Sequence, residues 1–179
     1  MDDAACVIET ERLALRRLGA QDGRFMLGLL NQPSFLENIG DRGVRTIQQA
    51  EAYIANGAVA SYEKNGFGLY LVVVKDTGEA AGICGLVKRD GLEDVDIGFA
   101  FLPAYWGQGY AVESAAAVKA FARDTVGLKR LVAITTPANR PSMRVLEKIG
   151  LSFEKTVRVA PDGEELNLFA CQFPAPPAP

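Results

Sequence analysis

The sequence has no histidine at all. Ser–His and Cys–His nucleophilic relays are therefore excluded, as are histidine-based metal centres. Cysteine is scarce: Cys6, Cys84 and Cys171 make an odd three with no CxxC spacing. That usage weighs against a disulfide framework and fits a reducing, cytoplasmic setting. Cys84, with no histidine to activate it, reads as a small core residue. No signal-peptide pattern and no apolar run of membrane-spanning length occur, so no membrane partner is expected. Basic charge is in deficit, with 19 Lys and Arg against 22 Asp and Glu and a net charge of −3. A nucleic-acid binder usually shows the opposite balance, so no nucleic-acid partner is expected either.

What is present is the composition of one globular domain. Of 179 residues, 49% are apolar and 23% charged, enough for a sizeable core. Residues 1–9 read as a loose leader, 10–173 as a single folded domain, and the Pro-Ala-Pro-Pro-Ala-Pro run at 174–179 as a disordered tail.

The alternation in 12–18 predicts a first strand. Phe25, Met26, Leu29 and Leu30 share helical spacing, and Pro33 is expected to end that helix. Residues 31–45 are expected as a loop or a short broken helix. Thr46-x-x-Gln49 reads as a capping box opening a second helix. Leu69–Val74 reads as a buried central strand, Asp76-Thr77-Gly78-Glu79 as a hairpin turn, and 80–89 as the returning strand. A helix after Gly109, a strand at 131–135, a helix from Asn139 to Gly150, and a hairpin around Pro161-Asp162-Gly163 complete the chain. The order predicts an α/β fold: one mixed, largely antiparallel sheet with helices on both faces.

The stretch that organises the rest runs from Val95 to Ala122. Val95–Leu102 alternates as a strand, and Pro103 stops its ladder because proline has no N–H to donate. Trp106-Gly107-Gln108-Gly109-Tyr110-Ala111 then turns into an alanine-rich helix. Strand, glycine turn and helix together aim free backbone N–H groups at one spot, where the helix dipole favours negative charge. The residue types point to a diphosphate seat. Position 112 is Val, so the dinucleotide pattern GxGxxG is not completed, and no GxxxxGK[ST] occurs.

The run Pro103 to Ser114, followed by Asn139-Arg140-Pro141-Ser142 and Glu147-Lys148-Ile149-Gly150-Leu151, resembles the GCN5-related N-acetyltransferase (GNAT) family. The likeness starts at Thr10-Glu11-Arg12-Leu13 and extends to about Phe173. It is most similar to the Rim-type branch, which acetylates ribosomal-protein N-termini. The resemblance implies the acyl-CoA N-acyltransferase fold, with splayed central strands at 95–102 and 131–135, and acetyl-CoA as cosubstrate with no metal. The diphosphate would sit on the backbone of Gly107, Gln108, Gly109, Tyr110 and Ala111, with Trp106 at the rim. Many relatives carry Arg or Gln where Trp106 stands; this loop has no positive charge, leaving backbone and dipole to hold the anion. The pantetheine arm would pair with backbone at Phe99, Phe101 and Leu102, and Asn139 would both cap its helix and bridge to that arm.

The implied reaction is direct attack of a neutral amine on the thioester carbonyl. It needs a proton acceptor, a donor to the thioester oxygen and an acid for the thiolate. Asp96 is the first choice of base, with Glu93 and Asp94 as alternatives and an exposed strand residue as its bland reading. A backbone N–H near Phe101 would meet the oxygen. Many relatives use a tyrosine four residues beyond Ser142, where this chain has Leu146. The Rim-type resemblance implies instead the serine of its Asn-x-x-Ser motif, Ser142, whose hydroxyl would approach the sulfur. Its bland role is a hydrogen bond within the first turn of the helix. The acceptor is a protein N-terminal α-amine or, alternatively, the amine of a polyamine, amino acid or antibiotic. A non-catalytic acyl-CoA-binding module is the rival class. Either a monomer or a homodimer is compatible with the sequence.

Overall fold

The computed structural model describes residues 5–175. The expected leader at 1–4 and tail at 176–179 lie outside the described residues. From the N-terminus come strands β1 (Cys6–Glu9) and β2 (Leu13–Arg17), and helices α1 (Gly23–Leu30), α2 (Pro33–Asn38), α3 (Ile47–Ile54) and α4 (Ala60–Asn65). Strands β3 (Leu69–Val74), β4 (Ala80–Val87) and β5 (Asp96–Phe101) form a meander. Helix α5 (Tyr110–Asp124), β6 (Arg130–Thr135), α6 (Arg140–Lys148), β7 (Ser152–Val157) and β8 (Leu166–Gln172) follow. Among the described residues one sheet runs in the order β1-β2-β3-β4-β5-β6-β8-β7. Every neighbouring pair is antiparallel except β5 and β6. The mixed, largely antiparallel sheet of the sequence reading is therefore observed. No helix among the described residues is long and apolar enough to cross a membrane.

Three expectations are corrected. Residues 6–9 are not a loose leader: they form β1, in register with β2 at Ile8↔Leu15 and Glu9↔Ala14. Pro33 does not end α1, which stops at Leu30; it opens α2 from the first helical position, where no N–H donor is needed. The second long helix has its capping box, with Thr46 Oγ1 accepting from the Gln49 N–H at 3.2 Å and Gln49 Oε1 from the Thr46 N–H at 3.1 Å. It is interrupted, however, by a π-helical turn over Ala55–Val59, between α3 and α4.

Both sheet faces are covered. Met26, Leu29, Leu30, Phe35, Ala50 and Ile54 pack from α1, α2 and α3 onto Leu71 and Ile83. On the other face Ala115, Val118 and Ala122 of α5 and Leu146 of α6 meet Tyr70, Val72, Cys84, Leu86, Ile97 and Leu131. The small residues of α5 let that helix lie close on the strands. Tyr62 of α4 fastens the first layer to the sheet. Its ring stacks on Tyr70 at 5.5 Å, its hydroxyl accepts from the buried Leu18 N–H at 3.1 Å, and it donates to the Leu69 carbonyl.

Replacing Tyr62 with Phe keeps the stacking area but leaves the Leu18 N–H buried without its acceptor. We expect a loss of about 1–3 kcal/mol, read as a lower urea midpoint at unchanged slope.

Candidate active site

The turn between β5 and α5 is built on two left-handed glycines, Gly107 at φ +72° and Gly109 at φ +82°. Any side chain there is strained. Gly109 caps α5, and the first helical bond runs from the Glu113 N–H to the Gly109 carbonyl at 3.0 Å. The N–H groups of Tyr110, Ala111 and Val112 thus leave the positive end of a 15-residue helix without an intrahelical acceptor. Trp106 is 55% exposed, and its indole N–H donates to the Phe101 carbonyl at 2.9 Å. Gln108 Nε2 donates to the Ala104 carbonyl at 3.0 Å. These two bonds fix the turn to the end of β5.

Although the turn itself carries no cation, the fold brings one to it from the start of β2. Arg12 Nη1 donates to the Gln108 carbonyl at 2.9 Å, and its guanidinium lies 4.6 Å over the Tyr110 ring. Arg12 Nε and Nη2 reach Glu113 Oε2 at 2.7 and 2.6 Å, while Thr10 Oγ1 donates to Oε1 at 2.6 Å. Burial alone would raise the Glu113 carboxyl; the bonds from Thr10 and Arg12 outweigh it and hold the group below the usual range. Glu113 suits the helix dipole but would repel an incoming anion, and Arg12 neutralises it. Sequence reading missed this clamp. Thr10-Glu11-Arg12-Leu13 stood out as a pattern, but nothing local ties it to a residue 101 positions away.

Beyond the turn, β5 and β6 share only one registered pair, Asp96↔Val132, joined by the Val132 N–H to the Val95 carbonyl at 3.1 Å. Past that point they diverge. The Leu102 N–H bonds the Ala81 carbonyl of β4 at 2.9 Å, so in the alternating antiparallel ladder Ile97, Phe99 and Phe101 direct their backbone groups away from β4. The amides of Phe99 and Phe101 therefore face the gap. The Phe101 carbonyl is taken by Trp106. Leu102 offers the gap no free backbone group, because its N–H is bound to Ala81 and its carbonyl accepts from the Tyr105 N–H at 3.0 Å. The gap is thus edged by strand amides and runs toward the glycine turn.

Asp96, Phe99, Asn139 and Ser142 line one cleft of about 910 Å³ between the splayed strands and α1–α4. The other sequence-predicted residues, Phe101, Leu102 and 106–111, lie outside its lining, at the far end of β5. Asp96 is only 1% exposed, which overturns its reading as an exposed strand residue. Its Oδ2 accepts from Arg89 Nε at 2.7 Å, while Oδ1 is buried with no partner. Burial pushes the carboxyl pKa up, and the Arg89 charge and hydrogen bond only partly offset it. The alternatives Glu93 and Asp94 do not line this cleft; Asp94 is paired with Arg130 at 2.9 Å.

Asn139 caps α6, its Oδ1 accepting from the Ser142 N–H at 3.2 Å. Ser142 and the buried Leu146 follow on the cleft-facing side of α6. Thr135, at the end of β6, adds a buried hydroxyl with no partner on the same cleft, a residue sequence reading did not single out. Cys84 is fully buried, and burial pushes its thiol up to about 12, as suits a core residue.

The Asp96 titration gives a signed prediction. Its folded-state pKa lies above the ordinary 3.8, so ionising it costs folding free energy that is absent at lower pH. Relative to Asp96→Asn, the wild-type protein should lose stability as pH rises from about 3.8 through the raised pKa, and the difference should then level off. Paired urea titrations between pH 3 and 8 (about that range suffices) read the difference; a gap that widens in favour of wild type contradicts the dominance of burial.

A family model described as an acetyltransferase (GNAT) domain matches residues 12–152. The uncharacterized protein YkkB of Bacillus subtilis is 31% identical over 160 residues, covering 87% of this chain and 91% of that protein. Among solved structures, RimL, a ribosomal L7/L12 α-N-protein acetyltransferase in complex with coenzyme A, superposes with a TM-score of 0.79 at 17% identity, covering 94% of this chain and 98% of that one. The microcin C7 self-immunity acetyltransferase MccE, in complex with acetyl-CoA and AMP, gives 0.77 at 14% identity, covering 92% and 94%. With splayed strands and a glycine turn in the expected places, and a family match over most of its length, the chain belongs to the GNAT family and is an acetyl-CoA-dependent acetyltransferase.

Proposed function

We propose that this enzyme transfers the acetyl group of acetyl-CoA directly to a primary amine within a ternary complex, and that the acceptor is a protein N-terminal α-amine, as in the Rim-type branch. The observation that carries the reading is the pairing of Asp96 and Ser142 on one cleft, from opposite sides of the splay. Asp96, with Oδ1 unpartnered, accepts a proton from the incoming ammonium, directly or through one water. The freed lone pair forms the new C–N bond at the thioester carbonyl. The Phe99 N–H, directed into the gap and on the same cleft as Asp96, donates to the carbonyl oxygen as it gains charge. The C–S bond then breaks, and Ser142 Oγ, on the first turn of α6, hydrogen-bonds to the departing sulfur. The extra proton of the attacking nitrogen passes to the thiolate directly or through that hydroxyl, leaving a neutral amide and the CoA thiol. The backbone of residues 107–111 holds the diphosphate, the Phe101 N–H meets the pantetheine arm, and Asn139 reaches the same arm. No cysteine takes part, so no acetyl-enzyme forms.

The cleft disfavours one of the small-molecule alternatives. A polycationic amine needs several free carboxylates. Of the acids considered for that role, Asp41 is paired with Arg45, Asp94 with Arg130 and Asp96 with Arg89. The two cleft acids without an ion pair among the described residues, Asp90 and Glu164, are matched by two such cations, Arg42 and Lys64. Glu37 and Glu93 do not line the cleft.

The first experiment is a calorimetric titration of acetyl-CoA against wild type and Gly109→Asp, in which a carboxylate enters the diphosphate seat at a left-handed position. Wild type should bind, and the variant should lose at least about tenfold in affinity; absence of binding by wild type would sink the reading. Asp96→Asn should bind acetyl-CoA normally while thiol release with N-terminal peptides falls by about 10²–10⁴-fold. The wild-type kcat/KM should decline as pH falls through the raised Asp96 pKa, an acid limb above the usual carboxylate range. Asp96→Asn should lack that limb.

A further inference from the structure

The acetyltransferase reading above leaves the acceptor's own chemistry open, and the charges around the cleft narrow it. Seven charged side chains line it: Arg42, Lys64, Lys88, Arg89, Asp90, Asp96 and Glu164. Three of these are already engaged. Asp96 and Arg89 hold each other, and the Lys88 ammonium is tied to the Leu92 and Glu93 carbonyls.

Arg42 and Lys64 form no ion pair among the described residues. They come from two elements on the helical side of the cleft, Arg42 from the segment after α2 and Lys64 from the last turn of α4. The backbone carrying Arg42 is anchored on both sides. Asp41 pairs with Arg45, Arg45 Nη1 donates to Asn31 Oδ1 at 3.0 Å, and Asn31 Nδ2 donates to the Val44 carbonyl at 2.9 Å. The unengaged carboxylates, Asp90 and Glu164, sit instead on the loops after β4 and between β7 and β8. The opening is thus divided, with positive charge under the helices and negative charge under the hairpin loops.

From this division we propose that the amine accepted here carries a carboxylate on the same molecule, which Arg42 and Lys64 hold while the ammonium approaches Asp96. A polycation would place like charge against both residues, and a purely neutral amine would leave them unused. The carboxylate has two sources, the acidic side chain of a residue close behind a protein N-terminus or a free amino acid-like molecule. Both meet the same two cations.

The proposal rests on the acetyltransferase reading, and the test separates the two. Thiol release is measured with matched pairs that differ only in charge: N-terminal peptides with Glu or Gln at the second and third positions, and free amino acids with their amides. Each pair is run on wild type, Arg42→Gln/Lys64→Gln and Arg42→Glu/Lys64→Glu, with acetyl-CoA affinity measured in parallel. We expect the acid to exceed its amide by about tenfold in kcat/KM, an advantage that shrinks with added salt. The advantage should vanish in the glutamine variant and reverse, amide over acid, in the glutamate variant, with acetyl-CoA affinity unchanged. The peptide and free-molecule arms show which source is used. Equal turnover of acid and amide by wild type, or a preference that survives both variants, overturns the carboxylate requirement and leaves acetyl transfer standing. Failure of wild type to bind acetyl-CoA overturns both.

Discussion

A sheet that stops pairing in its middle leaves strand amides without partners, and the rest of this structure is arranged around that defect. β5 and β6 meet at a single register position and then part, so the N–H groups of Phe99 and Phe101 lose the neighbour that a closed sheet would give them. Buried backbone groups left this way are costly unless something else satisfies them. The fold closes one end of the opening with side chains, as Trp106 takes the Phe101 carbonyl, and leaves the remainder as a slot of fixed spacing. An extended amide-bearing arm satisfies such a slot in the manner of an added strand. The energetic penalty of the splay in the free protein is thereby returned on binding.

The glycine turn depends on the same opening, because it lies where the gap ends. Its electrostatics are less simple than a bare helix terminus. Glu113 in the first turn of α5 stabilises the helix but opposes an anion, and Arg12 settles the conflict by ion-pairing the carboxylate while also bonding the Gln108 carbonyl. The clamp ties the N-terminal part of the sheet to the glycine turn, so the first strands of the chain shape a turn made by its middle. Gly109 reflects this crowding, since a Cβ there would lie 3.3 Å from Arg12 Nη2.

Features set by neighbouring residues were legible in the sequence. Gly107 and Gly109 marked the turn, Thr46 and Gln49 the capping box, and Asn139 the start of α6, because each acts within four residues. Pro33 was misread because proline both follows helices and opens them, and only the two-residue link Asn31–Gln32 decides between these. β1 was missed because four residues carry too little periodicity to announce a strand whose existence depends on β2. Arg12–Glu113 was out of reach for the same reason, being a contact made by topology alone. Arg89 was nearer to legible: it lies seven residues before Asp96, and the hairpin register Val87↔Asp96 brings the two together. The facing of Asp96 was undecidable from alternation, since helices cover both sides of the sheet and bury an acid on either.

Burial of Asp96 brings a requirement of its own. A carboxylate that is 1% exposed with no cation beside it would stay protonated near neutral pH and could not accept the amine's proton. Fully satisfied at both oxygens, it would ionise readily but hold a proton too weakly to help. The structure sits between these limits. Arg89, 34% exposed and so still in contact with water, gives one N–H to Oδ2 and leaves Oδ1 bare. The charge is tolerated and its basicity is retained. Because the pair is made by a single bond at the mouth of the cleft, its strength depends on what else occupies that mouth. A substrate carboxylate drawn by Arg42 and Lys64 would add negative charge to the same cleft and favour the protonated form of Asp96. Acceptor charge and base strength are in this way coupled through one exposed guanidinium.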